Sequence, residues 1–309
     1  MEKEKKQALT AIMKFFKKKR VYQTAQSAQK ELKKRARQNQ KRYRMPFKYR
    51  GFFERREFDN HPFGKFDYFY KDGTDIAVLY LHGGAFSSQP VSFHWQFAKD
   101  IYARSGVSLY VPLFPLAPKF NYKQTYNFIL NFYKFLLRTH KKVFVMGDSA
   151  GATLALGLGH LAVQENLAPP KAVIALSPVV DITFSNPEIA KFQELDKMIS
   201  AEGSKYICQK WARGADFKNP LVSPKYIDFK TYPQIYLFYG NLEILCPDLR
   251  QFVEIAHKQG GKIFAVEQKN CYHVYPLMPI PKGEDAREMI EDVITAKDIS
   301  CGVEFKQKN

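Results

Sequence analysis

Gly147-Asp148-Ser149-Ala150-Gly151 sets a serine between two glycines, directly after the apolar run Val143-Phe144-Val145-Met146 and directly before Ala152-Thr153-Leu154-Ala155-Leu156. An apolar strand that ends in a tight turn and enters a helix is the setting in which a serine hydroxyl is lifted clear of a sheet as a nucleophile. Gly147 and Gly151 leave room where strand and helix pass close together, and the turn forces Ser149 into a strained backbone conformation. The same geometry aims the Ala150 N–H at the place where an oxyanion would form. Taken alone, Gly-x-Ser-x-Gly is a weak signal, because an ordinary β-turn-α corner uses the same residue types. Its weight depends on partners elsewhere in the chain.

A serine hydroxyl needs an adjacent base. Seven histidines compete: His61, His82, His94, His140, His160, His257 and His273. His160 and His257 fall within helical patterns, His140 precedes a strand and His61 sits in an early turn. His273, in Asn270-Cys271-Tyr272-His273-Val274-Tyr275, follows the last strand on a loop free to reach the serine, and is the expected base. The base in turn wants a carboxylate to fix its tautomer and stabilise its cation. Glu243 and Asp248 both follow the Gln234–Tyr239 strand. Glu243 is nearer the strand end and is preferred, giving the order Ser149, Glu243, His273. His82-Gly83-Gly84-Ala85 follows the strand Ile76–Leu81, and its paired glycines can turn backbone donors toward one point. Gly83 and Gly84 N–H, with Ala150 N–H, are the expected oxyanion hole. The plain alternative is a Gly-Gly turn with an incidental histidine.

The elements that must position these groups alternate. Residues 52–71, dense in Phe and Tyr, read as opening hairpin strands. Strands follow at 76–81, 107–114, 142–146, 172–176, 234–239 and 262–266. Helices are expected at 121–138, 247–259 and 284–296, with a mixed, helix-leaning segment at 182–220. Strands alternating with helices predict a mostly parallel sheet covered on both faces, with the site beyond the carboxyl ends of the strands. Each candidate above lies just after a strand.

The chain has 309 residues, and 45% are hydrophobic, enough for one large α/β domain plus an accessory piece or for two domains. Its net charge of +18 is uneven. Residues 1–50 hold 18 Lys/Arg against 3 Asp/Glu, so the remaining 259 residues are nearly neutral. Leu9, Ile12, Met13 and Phe16 recur at helical spacing within that basic stretch. It reads either as a solvated helical arm laid on the main domain, the favoured reading, or as a contact for an anionic membrane or nucleic acid. Cys208, Cys246, Cys271 and Cys301 show no C-x-x-C spacing, so neither a metal nor a disulfide framework is expected. No leader-like apolar run and no segment of about 20 apolar residues is visible, and a cytoplasmic protein is expected.

Several motifs together carry a resemblance. His82-Gly83-Gly84-Ala85-Phe86, Phe114-Pro115-Leu116-Ala117-Pro118-Lys119, Gly147–Gly151, Ser177-Pro178-Val179-Val180-Asp181, Asn219-Pro220-Leu221-Val222-Ser223-Pro224, Gly240–Leu245 and Cys271–Val274 occur in order over about residues 75–280. As a set they resemble the hormone-sensitive-lipase-like carboxylesterases of the α/β-hydrolases. The resemblance implies an α/β-hydrolase fold with a helical cap, ester hydrolysis through an acyl-enzyme, no cofactor and a small-molecule ester substrate. It also implies Glu243 as the triad acid. Residues 1–50 and the insertion at about 182–220 are the pieces available for the cap, leaving 51–309 as the catalytic domain. Three positions depart from the pattern. Ala85 stands in place of a third loop glycine, and Pro115 and Lys119 in place of an Arg and a Glu, so an ion pair usual in the branch cannot form. An amidase or peptidase on the same three residues, and a catalytically silent binding homologue, are the competing readings; oligomeric state is left open.

Overall fold

A computed structural model of the chain describes residues 19–295. The apolar stripe at Leu9–Phe16 and Cys301 lie outside them. Two short pieces open the described chain, helix α1 (Lys19–Tyr22) and helix α2 (Ala25–Gln38). Thr24 caps α2: its hydroxyl accepts from the Ser27 N–H at 3.1 Å, and Ser27 Oγ accepts back from the Thr24 N–H at 3.1 Å. Strands β1 (Glu54–Asp59) and β2 (Lys65–Lys71) form the expected antiparallel hairpin. Strand β3 (Ile76–Leu81), helix α3 (Ser92–Ser105), strand β4 (Ser108–Pro112), helix α4 (Tyr122–Thr139), strand β5 (Lys142–Asp148) and helix α5 (Ala150–Gln164) follow. Then come strand β6 (Val173–Leu176), helices α6 (Ile189–Phe192) and α7 (Ala201–Trp211), strand β7 (Ile235–Gly240), helix α8 (Cys246–Lys258), strand β8 (Ile263–Gln268) and helix α9 (Pro281–Thr295).

The eight strands make one sheet in the order β1-β2-β4-β3-β5-β6-β7-β8. β2 runs antiparallel to β1 and β4, and every other pairing is parallel. Strand alternation sorts the core into two layers. Ala77, Leu79 and Leu81 of β3 join Val143 and Val145 of β5 under α4, α5 and α8. Val78 and Tyr80 join Phe144 and Met146 under α3 and α9. Strands buried on both faces explain why the sequence shows apolar runs there rather than alternation.

Helix α3 is an element the sequence reading did not place. Its first turn lacks a capping hydroxyl or carboxylate, and the His94 ring accepts the Val91 N–H at 2.9 Å instead. Among the described residues no helix is long and apolar enough to cross a membrane.

Candidate active site

Ser149 stands between β5 and α5 with φ 51° and ψ −122°, outside the regions an L-residue ordinarily occupies. The neighbouring glycines explain how the turn closes. A β-carbon on Gly151 would lie 1.9 Å from the Leu81 carbonyl oxygen, and one on Gly147 would lie 2.3 Å from the Gly151 carbonyl oxygen. The turn lifts the Ser149 hydroxyl to the carboxyl edge of the sheet, where His273 Nε2 stands 2.9 Å from it. His273 Nδ1 is 2.6 Å from Glu243 Oε2. A carboxylate only accepts, so Nδ1 carries the proton, and Nε2 is left to accept from the serine hydroxyl. Burial disfavours the imidazolium of His273, but the Glu243 carboxylate, with smaller contributions from Asp196 and Asp148, outweighs it, and the pKa is held above the ordinary histidine value.

Glu243 is fully buried and its other oxygen is also satisfied, accepting from Ser177 Oγ at 2.8 Å and from the Gly240 N–H at 2.9 Å. Ser177 Oγ accepts the Val274 N–H at 3.0 Å, so one hydroxyl ties the loop bearing Glu243 to the loop bearing His273. Asp196 makes a second tie. Its Oδ2 accepts the Ile244 N–H at 2.9 Å, while its Oδ1 accepts those of Met198 and Ile199. Asp248 has another neighbourhood: its Oδ1 accepts from Asn186 Nδ2 at 2.9 Å, and burial raises its pKa to about 6.

The loop after β3 requires a correction. The Gly83 N–H, expected as an oxyanion donor, donates to Asp148 Oδ1 at 2.9 Å and is not free for a substrate. A buried carboxylate must be satisfied, and Gly83 lies so close that a β-carbon there would fall 2.2 Å from Asp148 Oδ2. Tyr80 Oη also donates to Asp148 at 2.5 Å, and His94 Nε2 approaches it at 3.4 Å. Because His94 Nδ1 accepts from Val91, its proton sits on Nε2 and points at Asp148. Burial pushes the Asp148 carboxyl up, but these partners together hold it below the usual carboxylate range. Gly84 and Ala85, by contrast, line the cavity in front of Ser149, together with Ala150. Among the described residues the N–H groups of Gly84 and Ala85 meet no protein acceptor. The Ala150 N–H, in the first turn of α5, lacks an intrahelical one. Ala85 has φ 52°, a left-handed conformation that favours the glycine it replaces.

His82 lies away from this chemistry. It is fully buried, its Nδ1 meets the Gly83 carbonyl at 2.8 Å, and its ring stacks on Phe114. Burial drives its pKa down to about 3, so it is neutral.

The cavity, of about 90 Å3, has mostly apolar walls, among them Val179, Phe184, Leu245 and Leu277. Its roof is made of Tyr22 from α1 and of Met198, Ile199, Ser204 and Cys208 from the insertion. The two roof pieces touch. Helices α1 and α2 lie against α7, the Ala25 N–H donates to Glu202 Oε1 at 2.9 Å, and a β-carbon on Gly203 would lie 2.2 Å from the Tyr22 carbonyl oxygen. Trp211 stacks on Phe86 of the donor loop at 3.8 Å. Arg35 of α2 reaches the same loop, with Nη1 2.9 Å from Ser87 Oγ.

Sequence reasoning missed Asp148, Tyr80, His94, Ser177, Asp196 and Arg35 as supports. Asp148 and Ser177 stand inside motifs quoted above, so a signal existed; Arg35 is one cation in a basic run and Asp196 one acid in an insertion, and neither stands out. Among the described residues no group of three or more His, Cys, Asp or Glu is placed to hold a metal ion.

The profile of a family described as alpha/beta hydrolase fold matches residues 78–277. An esterase of Acinetobacter venetianus is 29% identical over 231 residues, covering 72% of this chain and 75% of the relative. An acetyl-hydrolase of Streptomyces hygroscopicus is 22% identical over 210 residues, covering 66% of this chain and 70% of the relative. A crystal structure from Staphylococcus aureus, of a protein provisionally designated an esterase, superposes with a TM-score of 0.82 at 25% identity, covering 89% of this chain and 94% of that one.

Proposed function

We propose that this chain, which belongs to the alpha/beta hydrolase fold family, hydrolyses carboxylic esters of small or medium acyl chain through a covalent intermediate on Ser149. The observation that carries the reading is the hydrogen-bonded line from Glu243 through His273 to the hydroxyl of Ser149. That line ends in a cavity faced by backbone donors. The relatives named an esterase and an acetyl-hydrolase support the same reaction class.

Ser149 Oγ attacks the ester carbonyl while its proton passes to His273 Nε2. The charge that gathers on the carbonyl oxygen is received by the N–H groups of Gly84, Ala85 and Ala150, which need no reorientation as it forms. Glu243 stabilises the transient imidazolium. Collapse of the tetrahedral intermediate expels the alkoxide, which leaves as the alcohol with the proton from His273. Water then adds to the acyl-enzyme with its proton taken by the same imidazole, and the acid departs as Ser149 regains its hydrogen.

Helices α1 and α2 and the segment 182–220 act as the cap. Apolar walls around a space of about 90 Å3 suit a short acyl chain. An organophosphate is expected to label Ser149 stoichiometrically, and Ser149→Ala to lose nearly all turnover of p-nitrophenyl butyrate. Labelling at another residue, or undiminished turnover in the variant, would overturn the reading.

A further inference from the structure

A second cavity, of about 450 Å3, opens beside the first, between helix α2 with the segment after it and the donor loop. Its walls are charged where the first cavity is apolar. Arg35, Lys41, Arg42 and Arg44 line it against a single carboxylate, Glu31. Glu31 is engaged by Arg35 at 3.1 Å. Lys41, Arg42 and Arg44 are exposed and have no ion-pair partner among the described residues. Tyr22, Gly84 and His94 line both cavities, so the charged space adjoins the one before Ser149. Three unpaired cations lining one concave space offer a carboxylate or phosphate charge-assisted hydrogen bonds.

We propose that this cavity is a subsite for an anionic group, a carboxylate or phosphate, carried by the ester that Ser149 attacks. The proposal rests on the reading of Ser149 as the nucleophile, and gives the basic segment after α2 a task in choosing the substrate.

Two pairs of esters test it, each pair differing by one charge and the methyl group that masks it, with release of p-nitrophenol or of acetate as the readout. p-Nitrophenyl hydrogen glutarate against p-nitrophenyl methyl glutarate places the charge on the acyl side. 4-Acetoxybenzoate against its methyl ester places it on the alcohol side. At low salt, kcat/KM in at least one pair is expected to favour the anionic ester by about tenfold, the order that two or three partly exposed charge pairs supply together, and the preference should shrink as salt is raised. The pair that responds tells which side of the ester occupies the subsite. Lys41→Gln/Arg42→Gln/Arg44→Gln is expected to abolish the preference while the neutral esters keep their rates, since they carry no charge for these side chains to hold. Equal kcat/KM within both pairs at low salt, or a preference that survives in the triple variant, overturns the proposal. Calorimetry on Ser149→Ala with glutarate and with inorganic phosphate reads the subsite without turnover. Glutarate binding there that the triple substitution removes, together with the ester preference, supports it; if Ser149 hydrolyses no ester, the substrate-borne anion falls with that reading; no binding of either anion rejects the proposal, even if neutral esters are cleaved. Phosphate bound without glutarate and without any ester preference assigns the cavity to free phosphate and also overturns it.

Discussion

Replacing Glu243 with glutamine removes one charge and keeps the shape of the side chain. The carboxylate oxygen that would change lies 2.6 Å from His273 Nδ1, in a residue with no solvent exposure. Two effects of the charge disappear together. A charge-assisted hydrogen bond is worth about 1.5–3 kcal/mol. The attraction between a carboxylate and the imidazolium formed during attack is worth about 4 kcal/mol at roughly 4 Å and an effective dielectric constant of about 20. The two overlap, so the barrier is expected to rise by about 4–5.5 kcal/mol, or three to four powers of ten in kcat. The glutamine amide can also donate to Nδ1, which favours the tautomer unable to accept the serine proton. The pH profile moves too. His273 must be neutral to act as a base, and Glu243 holds its pKa above the ordinary value against the opposing effect of burial. With the Glu243 charge gone burial is opposed only by the more distant Asp196 and Asp148 carboxylates, so the acidic limb of kcat/KM is expected to move to lower pH. A group whose pKa is raised by folding contributes stability that is fully present below its unfolded pKa and is lost as pH rises through the folded one. The stability difference between wild type and Glu243→Gln should therefore be larger in mild acid than in mild alkali. Initial rates with p-nitrophenyl butyrate from about pH 5 to pH 9, with urea denaturation at both ends, measure all three. A variant with kcat within tenfold of wild type and an unmoved acidic limb would refute the role given to Glu243.

Two further outcomes follow from the supports. Ser177→Ala leaves the Val274 N–H without its acceptor and Glu243 Oε1 with one donor fewer; stability should fall by about 1–3 kcal/mol and kcat by one to two powers of ten with little change in KM, and a kcat within twofold of wild type would deny that Ser177 positions the acid and the base. Asp248 has its pKa raised by burial from 3.8 to about 6, so the protein should lose on the order of 2–3 kcal/mol as pH rises from about 4 to about 6, where the carboxyl ionises in the unfolded chain and stays protonated in the folded one. Asp248→Asn should flatten that decline, and denaturation curves with the same pH slope in both proteins would sink the assignment.

Much of the sheet was legible because buried parallel strands are written as short apolar runs bounded by turns, as in Ile76–Leu81 and Ile235–Gly240. The elbow at Ser149 was legible because a strand, two glycines and a helix leave the backbone few alternatives. Helix α3 was hidden because its capping group is a histidine ring three residues inside the helix. The placing of Gly83 among the oxyanion donors failed for a related reason. A run of glycines announces free N–H groups but not which of them a distant carboxylate will take, and Asp148 takes one across 65 residues of sequence. The ties made by Ser177 and Asp196 are likewise set by loop-to-loop contact, for which local sequence carries no periodic mark. Arg35 was lost in a basic run whose other members are mostly exposed, while it alone among them is buried against the donor loop.

The missing side chain at Gly203 bears on what an engineer could do with this protein. With the Tyr22 carbonyl pressed where a methyl group would otherwise sit, the leading helix and the inserted one meet there backbone to backbone. A residue larger than glycine at 203 would have to prise these helices apart, so the fit of the one over the other hangs on a single absent methyl group.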